Sequence, residues 1–332
     1  MKVRSVMGRK PVLLAAGAVA VAAVAAGVVP ALAGPAAPGQ GAETRSGAVD
    51  LAVTAGQVAL APGTTGTQTV TVVNNGSAAT TGGTRVTYLT PAYVNIDRAK
   101  PLPAGCELRF EDQDPTVPEV LTCVLPAGLA PAAPVTIDVP VAVTTRARVT
   151  GVIRGRVSAL PVPGSADVEA DPADNWTLAY LTATQPTPAL PEGNKVGLYL
   201  THAMPAQAKD GTSTLTITYG NVGPADTAGA VRVTVATPFY TNVDRAKPLP
   251  EGCAFQLEDP SPGIPEIVTC EVPALKVEQQ RTLDVPLKAV DGGPKGIVLG
   301  PTIISPASSS DVDTDQTDNL DVAGVMVPSR GK

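Results

Sequence analysis

The dominant period of apolar residues along the chain is two. Leu215, Ile217 and Tyr219 alternate with Thr214, Thr216 and Thr218, and Val231, Val233 and Val235 alternate with Arg232 and Thr234. Ile137, Val139, Val141 and Val143 run the same way, and Leu283, Val285 and Leu287 answer them further along. Such alternation turns one face of each strand into a core and leaves the other, here Thr-rich, to water. Turn signals such as Asn74-Asn75-Gly76 separate the runs, and no useful stretch carries the 3.6-residue period of an amphipathic helix. The expected fold class is all-β, built of antiparallel sandwiches.

The pattern occurs twice. Thr90–Pro126 lies over Thr237–Pro273 without a gap and matches at 21 of 37 positions, including the shared run Asp97-Arg98-Ala99-Lys100-Pro101-Leu102-Pro103 and its copy from Asp244. Further on the register slips, yet Asp174-Asn175 still falls on Asp318-Asn319. A duplication of this kind predicts two domains of one fold, spanning 48–181 and 195–327. A unit of that size can bury about two-thirds of its unfolded surface, so each is expected to fold alone. Residues 182–194 form a linker with Pro186, Pro188 and Pro191, whose density predicts an extended spacer holding the halves apart. Residues 34–47, rich in Gly, Ala and Pro, are expected to be disordered, and 328–332 to be a short C-terminal tail.

The first 33 residues read as an export signal. Lys2, Arg4, Arg9 and Lys10 form a basic head, an apolar stretch of Ala, Val, Leu and Gly runs to Val29, and Pro30 precedes the small-residue triplet Ala31-Leu32-Ala33. An uncleaved membrane anchor is the rival reading; the weak hydrophobicity of Ala and Gly and the Pro30 break speak against it. No second apolar segment of spanning length follows, so the expectation is a secreted, extracellular chain, held at the wall, if at all, by non-covalent contacts. Cleavage leaves twenty basic against 30 acidic side chains, a net of −10, which repels phosphate backbones and speaks against nucleic-acid partners.

Four cysteines fit that compartment. Cys106 and Cys123 stand seventeen apart, as do Cys253 and Cys270. One pair per domain in an exported chain reads as one internal disulfide each, since a cysteine metal site would need closer pairs or added histidines.

The elements Asn74-Asn75-Gly76, Leu102-Pro103-Ala104-Gly105-Cys106, Leu121-Thr122-Cys123, Leu125-Pro126 and Leu129-Ala130-Pro131 resemble those of bacterial immunoglobulin-like repeats, nearest the "domain of unknown function 11" and the cell-adhesion-related CARDB-like group. The acidic loops Asp171-Pro172-Ala173-Asp174-Asn175 and Asp315-Gln316-Thr317-Asp318-Asn319 are similar to the loop that precedes the last strand in those domains. The composition is similar to that of secreted actinobacterial proteins. The resemblance implies two tandem immunoglobulin-like sandwiches used as spacer, adhesin or binding module, with no catalytic residues to carry over.

Three sets of residues are candidates for chemistry. Asp311, Asp313, Asp315 and Asp318, echoed by Asp167, Glu169, Asp171 and Asp174, could converge on calcium; yet position six of the run is Gln316 or Pro172 where a calcium loop needs Gly, and position twelve is Val322 or Leu178 where it needs Glu. The competing reading is that these residues make turns and keep a strand edge soluble. Tyr93, Asn95, Asp97, Arg98 and Lys100 recur as Tyr240, Asn242, Asp244, Arg245 and Lys247, either as a partner-binding loop displayed twice or as a structural crossover. His202 is the only histidine and its counterpart is Ala55, which leaves nucleophilic catalysis poorly equipped. Aromatics make up 3% of the chain; Trp176 is the only tryptophan, falls on Leu320, and is expected in a core or at a domain edge. The function read from these residues is a non-enzymatic extracellular adhesion, display or binding module with an unknown protein or cell-envelope partner and no cofactor. The alternatives are a calcium-stabilised surface module and, behind it, a secreted hydrolase.

Overall fold

The computed structural model describes residues 48–112, 114–149, 151–184 and 188–328; the stretch 1–33 expected to be a signal, the segment 34–47, residues 185–187 of the expected linker and the last four residues lie outside it. The chain is all-β, with two tandem immunoglobulin-like sandwiches and no helix among the described residues. In the first copy the strands are β1 (Leu51–Ala55), β2 (Val58–Leu60), β3 (Thr65–Asn74), β4 (Thr84–Leu89), β5 (Val94–Ile96), β6 (Cys106–Phe110), β7 (Val120–Leu125), β8 (Val135–Val143), β9 (Gly151–Pro161) and β10 (Trp176–Ala183). One sheet has the order β1-β3-β8-β5 and the other β2-β10-β9-β4-β7-β6. Every pair is antiparallel except β2–β10.

The second copy has β11 (Asn194–Val196), β12 (Leu198–His202), β13 (Thr212–Asn221), β14 (Val231–Ala236), β15 (Thr241–Val243), β16 (Cys253–Leu257), β17 (Ile267–Val272), β18 (Gln280–Ala289), β19 (Gly296–Pro306), β20 (Asp311–Asp313) and β21 (Leu320–Val327). Its sheets run β12-β13-β18-β15 and β16-β17-β14-β19-β21, with a short parallel ladder β11–β20 at one end. The equivalent of that ladder in the first copy is the single parallel bridge Val49–Glu169.

Alternation builds the two cores as expected. Val70, Val72, Ile137, Val139 and Val141 line the first, and Leu215, Ile217, Val233, Val235, Val285 and Leu287 the second, all buried. Each such side chain contributes about 1.5–3 kcal/mol through removal from water. The threonine face follows two different rules. On β13, Thr214, Thr216 and Thr218 face solvent wholly or in part. On β14, Thr234 is 2% exposed, and Thr87, Thr122 and Ser158 of the first copy and Thr269 and Thr302 of the second are buried as well.

The cause is that the sandwiches pack on each other. The β4–β7–β9 face of the first and the β14–β17–β19 face of the second meet, so those sheets are covered on both sides and the expected water-facing stripe becomes an interface. Leu89, Val117, Val120, Ala236 and Ile267 form a third apolar cluster there, separate from both cores. This overturns the expectation that the proline linker holds the halves apart: linker stiffness cannot separate two faces that bury apolar surface against each other.

Candidate functional site

The seam has the approximate two-fold relation expected of a duplicated chain packing against itself. Arg85 donates to the Pro262 carbonyl of the second sandwich, and its equivalent Arg232 is paired with Asp114 of the first. Thr116 bonds Ser305 at 3.2 Å, and Ser158 donates to the Gly263 carbonyl. Arg156, 2% exposed, donates to the carbonyls of Thr237 and Leu299 and lies 5.7 Å from the centroid of the Phe239 ring. Burial without a carboxylate partner pulls this guanidinium down to about 9. No sequence pattern marks Arg156; only its position, opposite Pro301 in the other copy, sets it apart.

The retained segment is built around a residue that sequence reasoning passed over. Glu119 has a fully buried side chain. Its Oε2 accepts the Ile96 N–H at 2.6 Å and its Oε1 the Arg98 guanidinium at 2.7 Å, while its own N–H donates to Thr90 Oγ1. Glu266 repeats every contact with Val243, Arg245 and Thr237. Burial pushes both carboxyls up, against the hydrogen bonds and the arginine that pull them down. Asp97 and Asp244 are buried too, each capping its own turn by accepting the N–H two residues on. Of the candidate contact residues, Tyr93 is 2% exposed and Asn95, Tyr240 and Asn242 are half-buried, whereas Arg98-Ala99-Lys100-Pro101 and Arg245-Ala246-Lys247-Pro248 form exposed tips.

Tyr93 and Tyr240 both adopt left-handed backbone, with φ of 61° and 55°. An aromatic residue there is strained by about 1–3 kcal/mol and persists only when its surroundings hold it. Both tyrosines feel charges of the other sandwich or of the seam: Tyr93 the Asp313 carboxylate, with Asn319 in hydrogen-bonding reach, and Tyr240 the charges of Glu169 and Arg85. Burial raises both phenols, that of Tyr240 to about 12.

The acidic loops hold the chain together through backbone contacts. Asp311 accepts the Ala228 N–H and the Asn194 side chain; Asp313 accepts the N–H groups of Leu198 and Asp315 and the Asn319 amide. In the first copy Asp167 accepts from Thr81, Gly82 and Ser165, and Glu169 from Leu51. Asp315 caps the turn at Thr317, and burial together with Asp315 raises Asp318 to about 6. Of the calcium candidates, Asp311, Asp313 and Asp315 are thus engaged by backbone and amide donors, and no group of three or more His, Cys, Asp or Glu placed to hold a metal ion occurs among the described residues.

Both cysteine pairs are joined, Cys106 to Cys123 and Cys253 to Cys270. The bridges link directly opposed residues of neighbouring strands, β6–β7 and β16–β17, so each fastens an edge strand within one sheet instead of tying two sheets together. His202 Nδ1 lies 2.6 Å from Asp321 Oδ2. Trp176 sits at the seam, its ring 5.7 Å from that of Phe239.

No helix of the described residues is long and apolar enough to cross a membrane. No protein-family model matches the chain, and neither does any curated protein. Among solved structures it is similar to the collagen-binding domain of the Erysipelothrix rhusiopathiae surface protein RspB, at 10% identity, covering 83% of this chain and 94% of that one with a TM-score of 0.27. It is likewise similar to the C-terminal domain of the Streptococcus pyogenes antigen I/II-family protein AspA, at 10% identity over 84% of this chain and 99% of that one, TM-score 0.24. The Escherichia coli alpha-2-macroglobulin activated by porcine elastase matches at 13% identity over 85% of this chain, TM-score 0.25, and the chain spans 22% of that protein's length. Likenesses at these TM-scores carry no argument about function; the immunoglobulin-like architecture rests on the strand order itself.

Proposed function

We propose that this chain is an exported, non-enzymatic binding module that acts outside the cell, with 1–33 as its cleaved signal and 48–181 and 195–327 as its two repeats. The observation that carries this reading is where the polar groups go. The retained Glu119–Arg98 and Glu266–Arg245 pairs, the acidic loops and the seam arginines all serve to fix loops and lock the sandwiches together. A chain that spends its ionisable groups on rigidity, and fastens both edge strands with disulfides, suits display in an oxidising compartment. In this reading it is similar to the DUF11 and CARDB-like repeat proteins in use, as adhesin or spacer.

The surfaces assigned to a partner are the two exposed tips, Arg98 to Pro101 and Arg245 to Pro248; Arg98 and Arg245 are already paired with glutamates, so the contact falls to Lys100 and Lys247 on a net acidic protein. Their partner would be an acidic protein or cell-envelope component. The test is retention of the purified full chain on isolated cell envelopes of the producing organism, measured beside a variant carrying Lys100→Ala and Lys247→Ala. Retention that falls at least tenfold in the variant is the expected result. Equal retention of both proteins, or none above an albumin control, would refute the proposal.

A further inference from the structure

Duplication gave the seam two equivalent corners, and the chain has filled only one. In the filled corner the rings of Trp176 and Phe239 lie 5.7 Å apart at 34°, Arg156 lies over Phe239, and Arg156 bonds the Leu299 carbonyl. The strand pairings fix the equivalences: Trp176 faces Ser158 as Leu320 faces Ile303, which sets Arg156 on Pro301 and Arg154 on Leu299. The gapless segment sets Ala92 on Phe239. The other corner is therefore made of Ala92, Leu320, Pro301 and Arg154, and these four residues line a cavity of about 230 Å³ between the sandwiches. A methyl group stands where its mate has a phenyl ring, and an isobutyl group where its mate has an indole.

We infer that this corner is a binding site for one small, neutral, planar aromatic molecule of the indole class. The volume suits it, since an apolar cavity of about 150 Å³ already takes benzene. The walls suit it as well: Ile153 and Ile303 supply apolar contact, and the exposed Arg154 guanidinium offers the cation–π attraction that Arg156 makes to Phe239 in the filled corner. Asp321 lines the same cavity, held by His202 at 2.6 Å, and its carboxylate disfavours an anionic ligand. The inference stands apart from the adhesion reading, because it uses neither the basic tips nor the export signal.

The experiment is calorimetric titration of indole into the purified full chain, with methyl NMR of Ile153 and Leu320 to locate the ligand. One saturable site per chain with a dissociation constant below about 1 mM, accompanied by shifts of those two methyl signals, is expected. Ala92→Phe, which rebuilds the filled corner, should weaken binding at least tenfold without lowering the melting temperature; Leu320→Trp provides a second test of the same filling. Absence of saturable binding to the unaltered chain, binding that leaves both methyl signals unmoved, or undiminished affinity in a folded Ala92→Phe or Leu320→Trp variant would each overturn the assignment.

Discussion

Arg85 and Arg232 are the same residue of two copies, and each reaches across the seam to hold the other copy's loop before its β7-type strand. Arg85 takes the Pro262 carbonyl and Arg232 the Asp114 carboxylate. Arg156 and the Leu89–Ile267 cluster add buried contact to the same seam, so the two sandwiches are expected to unfold together. Calorimetry should give one transition for the unaltered chain. Arg156→Ala removes the donor from two buried carbonyls, at a cost of about 3 kcal/mol, and should split or markedly broaden it. Two separate transitions in the unaltered chain would refute the coupled seam.

Glu119 carries a prediction that its exposed neighbours do not. Glu119→Ala leaves the Ile96 N–H without its acceptor and Arg98 with Glu111 as its carboxylate partner, with an expected loss of about 3 kcal/mol. Arg98→Ala instead leaves a buried carboxylate without its cation. Since burial already raises the Glu119 pKa, that variant should be destabilised more at pH 8 than at pH 5. Urea midpoints of the two variants at both pH values check this, and equal losses for Arg98→Ala at the two would count against a buried charged pair.

The disulfides fasten edge strands, so their loss should show locally before it shows globally. Replacing Cys106 and Cys123 by Ser opens a loop of 17 residues, with about 3 kcal/mol of stability at stake. Amide exchange should rise first along β6 and its partner β7, while β3 and β8, in the opposite sheet, stay protected. Uniform loss of protection would mean that the bridge holds the whole sandwich.

The period-two pattern made the strands and both cores legible, because each strand states which face is apolar. It could not state what covers the other face. Thr216 and Thr234 are indistinguishable in sequence context, yet Thr216 bonds Asp284 at the surface while Thr234 sits against Thr269 under the second layer. Which threonine is covered depends on packing between residues more than a hundred positions apart, and no local signal encodes that. The retained segment is visible as a repeat, and Glu119 matches Glu266 within it; that this carboxylate is buried under Arg98 is not, because the contact joins residues 21 positions apart that no local spacing links. The ring-filled corner was half legible. Trp176 falls on Leu320 and Phe239 on Ala92, and only the fold shows that these two mismatches meet at one corner.

The carboxyls of the acidic loops predict a stability that falls toward alkaline pH. Burial raises Glu169 from 4.5 to about 7, with Asp50 adding to the effect, and burial with the charges of Asp50 and Asp171 raises Asp174 from 3.8 to about 7. Burial likewise takes Asp313 to about 6, and burial with Asp315 takes Asp318 there as well. A carboxyl whose folded pKa lies above its unfolded one holds a proton that the unfolded chain has released, so stability falls as pH climbs from about 4 through about 7. Asp167 acts in the opposite sense: burial would raise it, but hydrogen bonds from Thr81, Gly82 and Ser165 win and take it to about 2, so its contribution disappears as pH falls below about 4. Stability should therefore peak at about pH 4–5 and decline toward about pH 8, and Glu169→Gln together with Asp174→Asn should flatten the decline on the alkaline side. Urea midpoints across that range measure it. A midpoint that stays level or rises between about pH 5 and about pH 8 would show that these carboxyls are ionised in the folded chain at no cost.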